Sequence, residues 1–403
     1  MKTKSRQWLF LPLLLALLCL LPVFGSAKAD DDPTLYTYSY LVDYNRSKEH
    51  DPDVPAYYLY SVPHILANLE YKTVVIDHTI YQLVQGKRVS KPYYRVVCYF
   101  DSMEALQTKT KINLVDEIDG IPVTRIELDC TDGDNIGTTP YSEKVTSIRL
   151  PKNLTYIGPY TFSCLPNLKK YRIPEGVTEI GKWAFLGAEN LTSITIPESV
   201  TTIGRESFYN CMNLKKITFP SKIHEIENGA FFNCRSLKTV TFKPLNDPTQ
   251  GVRLRRDVFH NCYSLTKVTL PENANSVGLY PYAFYGCKSL KTIKNMDKVQ
   301  RLNAHTFDGC KSLTSVTVSP QIIDISPQAL KKLPLKKLRV LATDPAFLLT
   351  KNDRPAGKGG YDGNDFLKTL PKTCKVYVKK AAMKQAFVNA GCTNKISVKA
   401  DLA

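Results

Sequence analysis

Five cysteines recur at nearly regular spacing in the middle of this 403-residue chain, and their chemistry depends on how the fold arranges them. They are Cys211, Cys234, Cys262, Cys287 and Cys310. Because each one takes the same position of a successive repeat, the spacing predicts one inward-facing column of free thiols, in which cysteine packs as a small hydrophobe. Disulfides between neighbouring repeats are the alternative, since stacked strands lie about 4.8 Å apart and bridged Cα atoms about 4.4 to 6.8 Å apart. Two pairs outside the column are better disulfide candidates: Cys98 with Cys130, and Cys374 with Cys392.

Residue types that serve catalysis are present, but their spacing does not support it. The six histidines show no metal-ligand spacing, and no serine lies in a nucleophile elbow. The glycine-rich segment 356–360 lacks the spacing and closing hydroxyl of a phosphate loop. Segments 132–134 and 362–365 contain aspartates, but each is too short for a calcium-binding loop. The sequence therefore predicts no enzyme, no cofactor and no metal site. His260 and His305 are expected on the surface.

Seven phenylalanines, each followed six residues later by a leucine, show that the chain is built from repeats. They are Phe162, Phe185, Phe208, Phe231, Phe259, Phe284 and Phe307. The first three steps are 23 residues long and the longest is 28 residues. A unit of this length cannot bury its own apolar face, so neighbouring units must stack around one continuous core. The spacing therefore predicts a solenoid with buried phenylalanines.

The repeat at residues 191–214 shows how one coil is built. Ile194 and Ile196 alternate with polar residues, which predicts a short strand with one buried face, and Pro197 ends that strand. Val200 and Ile203 are then expected to point inward, with a turn or short helix leading to Phe208. The predicted fold class is an α/β repeat solenoid with short parallel strands and a period of about 23 residues.

Residues 191–214 resemble the BspA-like class of bacterial leucine-rich repeats. The family pattern is approximately leucine-x-x-isoleucine-x-isoleucine-proline, then valine-threonine-x-isoleucine-glycine, then alanine-phenylalanine-x-x-cysteine. Segments 173–185, 230–234 and 283–287 carry parts of the same pattern, and the resemblance extends over residues 112–341. It implies a leucine-rich repeat superhelix capped at both ends, with residues 112–126 as the entry repeat and a closing strand and helix after Cys374. It also implies surface display and adhesion to host or neighbouring-cell proteins.

The regions outside the repeats divide the chain into four predicted parts. Residues 1–29 have the basic start, apolar run and small-x-small cleavage site of a secretory signal peptide, with a retained membrane anchor as the alternative. No later segment is expected to span a membrane. Residues 30–111 are rich in tyrosine, and strands are predicted at 37–42 and 93–99. The tyrosines are expected to cap the sheet, although they could also form a recognition patch. Residues 112–341 are the repeats, and 342–403 are a loop and a C-terminal cap.

The exposed side of the predicted strands carries two rows of hydrogen-bond donors. Side chains alternate along a strand, so residues two and four positions after each repeat leucine should face solvent. The candidate ligand-binding residues are Lys170, Arg172, Thr195, Lys216, Thr218, Thr239, Thr241, Lys267, Thr269, Lys294, Thr317 and Arg339. Their ammonium, guanidinium and hydroxyl groups suit carboxylates, sulfates or glycan hydroxyls. The structural alternative is that threonine forms strands well and lysine discourages edge pairing.

The charge favours an acidic partner. Removing the predicted signal removes Lys2, Lys4, Arg6 and Lys28 and no acidic residue, which lowers the formal charge from +17 to +13. A basic surface attracts polyanions, or it only keeps a protein soluble. Without a zinc-finger spacing, an RNA-binding signature or a lysine run, nucleic acid is not expected.

The sequence therefore predicts a secreted or cell-surface protein that binds macromolecules through its solenoid. Extracellular or surface proteins are the expected partners, with acidic glycans as a further possibility. The five-residue insertion around 244–251 is a candidate contact loop. Two other functions stay open: glycan capture or a structural role in the cell envelope, and, remotely, an enzyme centred in residues 30–111.

Overall fold

The computed structural model describes residues 73–85, 89–99, 108–128, 143–163, 165–343 and 365–402. All of them belong to one compact unit made of residues 71–128 and 141–403. Several sequence predictions lie outside the described residues: the signal peptide, the strand at 37–42, Cys130, the side chain of Cys98, and segments 132–134 and 356–360.

The described unit contains twenty-five short strands. The first thirteen are β1 (Thr73–Ile76), β2 (Thr79–Val84), β3 (Tyr93–Cys98), β4 (Lys111–Asn113), β5 (Glu117–Ile118), β6 (Ile121–Ile126), β7 (Ser147–Arg149), β8 (Tyr156–Ile157), β9 (Lys170–Arg172), β10 (Glu179–Ile180), β11 (Ser193–Thr195), β12 (Thr202–Ile203) and β13 (Lys216–Phe219). The others are β14 (Glu225–Ile226), β15 (Thr239–Phe242), β16 (Gly251–Leu254), β17 (Lys267–Thr269), β18 (Ser276–Leu279), β19 (Thr292–Lys294), β20 (Val299–Leu302), β21 (Ser315–Val318), β22 (Asp324–Ile325), β23 (Lys337–Val340), β24 (Lys375–Val378) and β25 (Ile396–Val398).

Each regular coil contributes one strand to each of two ladders. The first-strand ladder contains the strands that follow the repeat leucines, together with strands at its two ends. It consists of four separate sheets: β4 with β7; β9 with β11; β13 with β15, β17 and β19; and β21 with β23, β24 and β25. The second-strand ladder is one thirteen-stranded sheet that runs from β1 to β22. Within both ladders the repeat strands pair in parallel, while β1, β2 and β3 pair antiparallel. The chain therefore forms a leucine-rich repeat solenoid, as the sequence predicts.

The second-strand ladder was not expected. The sequence reading placed Val200 and Ile203 in the core without a strand, whereas Thr202–Ile203 pairs in parallel with Glu179–Ile180. Glycine follows three of these strands because the coils approach closely there. A Cβ atom on Gly204 would lie 2.7 Å from the carbonyl carbon of Gly181. A larger residue would therefore force neighbouring coils apart.

The repeat phenylalanines form a continuous stack through the core. All seven are fully buried. Their ring centroids are 4.9 Å apart between Phe185 and Phe208 and between Phe208 and Phe231, and 5.9 Å apart between Phe284 and Phe307. Stacked aromatic rings at this separation add stabilisation beyond the apolar area that they bury. Each coil thus contributes one ring to a core shared with its neighbours.

The column cysteines are buried and free. Each thiol donates a hydrogen bond to the carbonyl of the repeat phenylalanine one coil earlier, for example Cys211 to Phe185 and Cys234 to Phe208, both at 3.2 Å. Burial raises the pKa of the Cys211 thiol well above its ordinary value, so it stays protonated. Cys374 and Cys392, a candidate disulfide pair outside the column, are both free thiols, and the Cys392 sulfur lies 3.8 Å from the side-chain oxygen of Asn394.

Helices contribute little to the described unit. The segments that lead to the repeat phenylalanines are turns, so the turn alternative of the sequence reading applies there. One 3₁₀ turn spans Met296–Lys298, and the α-helices are α1 (Pro327–Leu330), α2 (Asp365–Lys368) and α3 (Ala381–Asn389). α3 follows β24 and buries Met383 and Phe387. Within the described ranges, no helix combines the length and apolarity needed to cross a bilayer.

The tyrosine-rich part of the chain supplies the start of the second-strand ladder. The predicted strand at 93–99 is β3, and it pairs with β2 and β6. Tyr81, Tyr94 and Tyr99 are fully buried. Burial raises the pKa of Tyr81 to about 12, and its hydroxyl accepts a hydrogen bond from the backbone amide of Val115 at 3.2 Å. These three tyrosines therefore pack in the core, and the remaining tyrosines before residue 73 lie outside the described residues.

Candidate functional site

The predicted donor rows lie on the outer side of the first-strand ladder. β13 and β15 pair in the expected register, which sets Lys216 beside Thr239 and Thr218 beside Thr241. Register continues into β17, where Lys267 lies beside Thr239 and Thr269 beside Thr241. Further pairs lie at the two ends of the array: Arg172 with Thr195, Thr269 with Lys294, and Thr317 with Arg339. The fold thus brings the candidate residues onto one side of the solenoid.

Two features of the rows differ from the expectation. The rows are interrupted, because no strand pairing joins β11 to β13 or β19 to β21. The lysines and arginines in the rows are exposed, whereas Thr239, Thr241, Thr269 and Thr317 are only partly exposed. The exposed surface of the rows is therefore mainly charged, with partly exposed hydroxyls between the charges.

A third row of cations, which the sequence reading missed, lies at the start of the same strands. It occupies the position directly after each repeat leucine and contains Lys169, Lys215, Lys238, Lys291 and Lys336. All five are exposed. The sequence does indicate this row, because a lysine directly follows the leucine in five of the repeats. The alternation rule, however, selects only the residues two and four positions after the leucine. We call the residues one, two and four positions after the repeat leucines, from Lys169 to Arg339, the basic face.

The basic face contains no aspartate or glutamate. None of its lysines forms an ion pair with a residue that the structure describes. The second-strand ladder differs, since several of its arginines are paired with glutamates. Nη2 of Arg253 lies 3.1 Å from Oε2 of Glu225, which also pairs with Arg255, and Arg95 lies 3.1 Å from Glu127. Uncompensated charge is therefore concentrated on one of the two ladders.

One acidic residue beside the basic face, Glu198, has both of its carboxylate oxygens bonded to neighbouring coils. Glu198 accepts hydrogen bonds from the backbone amide of Ser221 at 3.0 Å and from its hydroxyl at 2.8 Å, and it pairs with Lys243. Although burial raises the pKa of Glu198, these bonds outweigh it and lower the pKa to about 2. Glu198 therefore ties three coils together instead of neutralising the basic face.

The two histidines expected on the surface lie in aromatic stacks instead. The His260 ring lies between Phe232 and Tyr285, with centroid distances of 4.4 and 4.5 Å, and its Nδ1 is 2.7 Å from Oδ1 of Asp257. His305 stacks on Tyr282 at 4.9 Å. Both are only partly exposed because the turns after the second strands also stack in register. Nδ1 of His305 likewise lies 3.0 Å from Oδ2 of Asp308, so each ring is held by stacking and by an aspartate three residues away.

Within the described ranges, no three histidine, cysteine, aspartate or glutamate side chains are grouped to hold a metal ion. The site that emerges is a charged face whose side chains can form hydrogen bonds and ion pairs.

Comparisons with known proteins agree with this architecture. A family model described as the BspA type leucine rich repeat region matches six copies, over residues 139–250 and 245–344. No curated protein matches the chain. Among solved structures, the chain is similar to a leucine-rich repeat protein from Eubacterium ventriosum, with 22% identity, 56% of this chain and 59% of that chain covered, and a TM-score of 0.42. The chain thus spans less than two thirds of that protein.

Two further solved structures are similar. The leucine-rich repeat protein of T. pallidum has 20% identity, with 60% of this chain and 91% of that chain covered and a TM-score of 0.38. A leucine-rich cell surface protein from Faecalibacterium prausnitzii has 18% identity, with 81% of this chain and 95% of that chain covered and a TM-score of 0.30. Because the family model covers more than half of the sequence, the chain belongs to the BspA-type leucine-rich repeat family.

Proposed function

We propose that this protein is exported by the signal peptide at residues 1–29 and binds an acidic partner protein through the basic face, as an adhesion or surface-interaction module. Proteins with leucine-rich repeats are generally binding scaffolds without catalytic activity, and the family suggests protein interaction or adhesion. Residues 30–111 and 342–403 would close the two ends of the solenoid. The single observation that carries the proposal is the basic face itself, whose lysines are exposed and form no ion pair with the described residues, while several arginines of the other ladder are paired with glutamates.

Electrostatics explains why this arrangement suits a protein partner. Clustered charges of one sign steer an oppositely charged partner and fix its orientation. The partly exposed threonines between the lysines supply hydroxyls that hydrogen-bond at short range. The array repeats at the strand spacing of about 4.8 Å, so an extended acidic segment could contact several coils at once.

Charge reversal tests the proposal. Lys216→Glu with Lys267→Glu places two carboxylates among the cations at the centre of the basic face. We expect loss of binding to the extracellular-matrix protein that the unmodified chain captures from an array of such proteins and of acidic and neutral glycans. Like charges placed opposite each other cost several kcal/mol, so an affinity loss of about a hundredfold or more is expected.

The matched control is Lys331→Glu with Lys384→Glu, which changes the net charge equally at exposed positions outside the basic face. It should bind like the unmodified chain, and all variants should keep the same thermal midpoint. Equal affinity of the two double variants would contradict a role for the basic face. Capture of an acidic glycan but no protein would instead support the glycan-capture function.

A further inference from the structure

A pocket of about 350 Å³ lies beside the place where the repeat period lengthens. Its walls include Thr201, Lys222, His224, Asn246, Asp247 and Gln250. The step from Phe231 to Phe259 is 28 residues, compared with 23 in the preceding steps. One wall of the pocket therefore consists of residues that the regular repeat lacks. Its volume falls at the lower end of the range of small-molecule sites, about 300 to 1,000 Å³.

The inserted loop is fixed to the solenoid at both ends. The side chain of Asn273 accepts a hydrogen bond from the Leu245 amide at 2.7 Å and donates one to the Leu245 carbonyl at 2.8 Å. The Asn246 amide donates to the Ser221 carbonyl at 3.0 Å, and the Asn275 amide donates to the Gln250 carbonyl at 3.0 Å. Because these bonds hold the backbone in place, the pocket exists before a ligand arrives, which lowers the entropic cost of binding.

The acidic residue of the pocket is satisfied within the loop. The carboxylate of Asp247 accepts hydrogen bonds from the Thr249 amide at 2.9 Å, the Thr249 hydroxyl at 2.6 Å and the Gln250 side-chain amide at 2.9 Å. Asp247 therefore shapes the loop and forms no ion pair with Lys222.

Three of the pocket's donor side chains are unused within the described part of the chain. The side chains of Lys222, His224 and Asn246 form no hydrogen bond or ion pair with any residue in the described part of the chain. His224 is partly buried, while Lys222 and Asn246 are exposed. An ammonium, an imidazole and an amide together favour a ligand that carries a carboxylate and several hydroxyls. Ile223 and Leu245 also line the pocket, but both are buried and present almost no surface to a ligand.

We propose that this pocket binds a monosaccharide that carries a carboxylate, with Lys222 and His224 at the carboxylate and Asn246 at the ring hydroxyls. This site is separate from the basic face and does not depend on the function proposed for it. It binds a single sugar residue, whereas the basic face binds an extended macromolecule.

The test is calorimetric titration of the full exported chain with glucuronate, glucose and acetate. Glucuronate should bind saturably, and glucose and acetate should each bind at least about tenfold more weakly, because each lacks one part of the recognised pattern. Acetate binding as tight as glucuronate would show a simple anion site, and equal binding of glucose would show that the carboxylate is not recognised. Either result, or no saturable glucuronate binding, would overturn the proposal.

Variants locate the site. Lys222→Met and His224→Gln should each weaken glucuronate binding by about tenfold, the size expected for losing a hydrogen bond to a charged group. Lys331→Met, an exposed lysine far along the chain, is the matched control and should leave the affinity unchanged. Because Lys222 is exposed, its variant should fold normally, which the thermal midpoint checks. Full affinity in both pocket variants would refute the assignment.

The charge-reversal variant of the basic face separates the two proposals. Lys216→Glu with Lys267→Glu should leave glucuronate binding intact, so loss of binding at the basic face and loss of binding at the pocket are distinguishable.

Discussion

At the scale of single residues, the protein uses its polar side chains in two different ways. Some hold neighbouring coils together. The carboxylate of Glu198, for example, accepts a hydrogen bond from Ser221 and pairs with Lys243. Others, such as Lys216 and Lys222, are left exposed without an ion pair in the described structure. An exposed charge without an ion pair stays hydrated in the folded state, so it costs the fold little free energy and is available to a partner. This difference separates structural residues such as Glu198 from the residues that we propose bind a partner or ligand.

Glu198→Gln tests the structural class. The folded-state pKa of about 2 lies below the ordinary value of 4.5, so the carboxylate stabilises the fold above pH 4.5 and this contribution is lost as the pH falls towards 2. We expect the variant to be less stable than the unmodified chain at pH 7 and the difference to vanish near pH 2. Since the side chain is 45% exposed, solvent screening limits the effect to about 1 kcal/mol or less.

Urea unfolding at several pH values measures the difference. Glu272→Gln is the control, because Glu272 also follows a strand-ending proline but is exposed and in no described ion pair. A Glu198 variant with the same pH dependence as the unmodified chain would show that the three-coil contact does not form.

At the scale of structural elements, each coil depends on its neighbours. The sequence predicted the first strand because isoleucines and valines alternate there with polar residues over three or four positions. It did not predict the second strand, since strands such as Thr202–Ile203 have only two residues and show no alternation to recognise. Their partners are supplied by the next coil, 23 residues away. Pairing of this kind depends on stacking, which no local pattern contains.

Phe208→Ala tests the stacked core at this scale. The ring lies between Phe185 and Phe231, so removing it leaves a cavity that the flanking coils cannot fill. A loss of about 3 to 5 kcal/mol in the free energy of unfolding is expected, as for other buried phenylalanines. Chemical denaturation measures it, and Ile323→Ala, at a site 49% exposed, should cost about 0.5 kcal/mol or less. Similar costs for both variants would be incompatible with a continuous phenylalanine stack.

The candidate site was also predicted only in part. The alternation rule located Lys170, Lys216 and Lys267 correctly on one face, because their orientation follows from the strand alone. The third lysine row precedes the alternating positions, and the pocket depends on how the inserted loop folds back on Ser221. The free state of Cys374 and Cys392 likewise depends on their geometry in the folded chain. The sequence predicted features that depend on a single strand, and it did not predict features that depend on contacts between coils.

At the scale of the whole molecule, the basic character of the chain is concentrated on one ladder. The formal charge of +17 alone indicates only a preference for acidic partners. In the fold, arginines of the second-strand ladder pair with glutamates, as Arg253 does with Glu225. The exposed lysines of the basic face therefore give one side of the solenoid a positive charge. A partner should therefore approach from the basic side.

Salt dependence tests this electrostatic organisation. Raising the ionic strength shortens the screening length from about 10 Å at 0.1 M to about 3 Å at 1 M. The association rate constant for the captured protein should therefore fall by about tenfold or more over this range, with a smaller change in the dissociation rate. Surface plasmon resonance measures both rates. An association rate that does not change with salt would indicate a partner held by apolar contacts elsewhere on the molecule.

The breaks in the first-strand ladder also determine how the protein responds to force. When a solenoid is pulled at its two ends, every coil boundary carries the same load, so the boundary with the fewest bonds separates first. The boundaries at β7–β9, β11–β13 and β19–β21 lack strand pairing in the first ladder, while the second ladder continues across all three. At β11–β13 the Lys215 amide also donates to the Thr192 carbonyl at 3.3 Å. Tension between two tethered surfaces would therefore lengthen the protein in steps at these boundaries. The intact blocks between them would keep their lysines in register while the molecule lengthens.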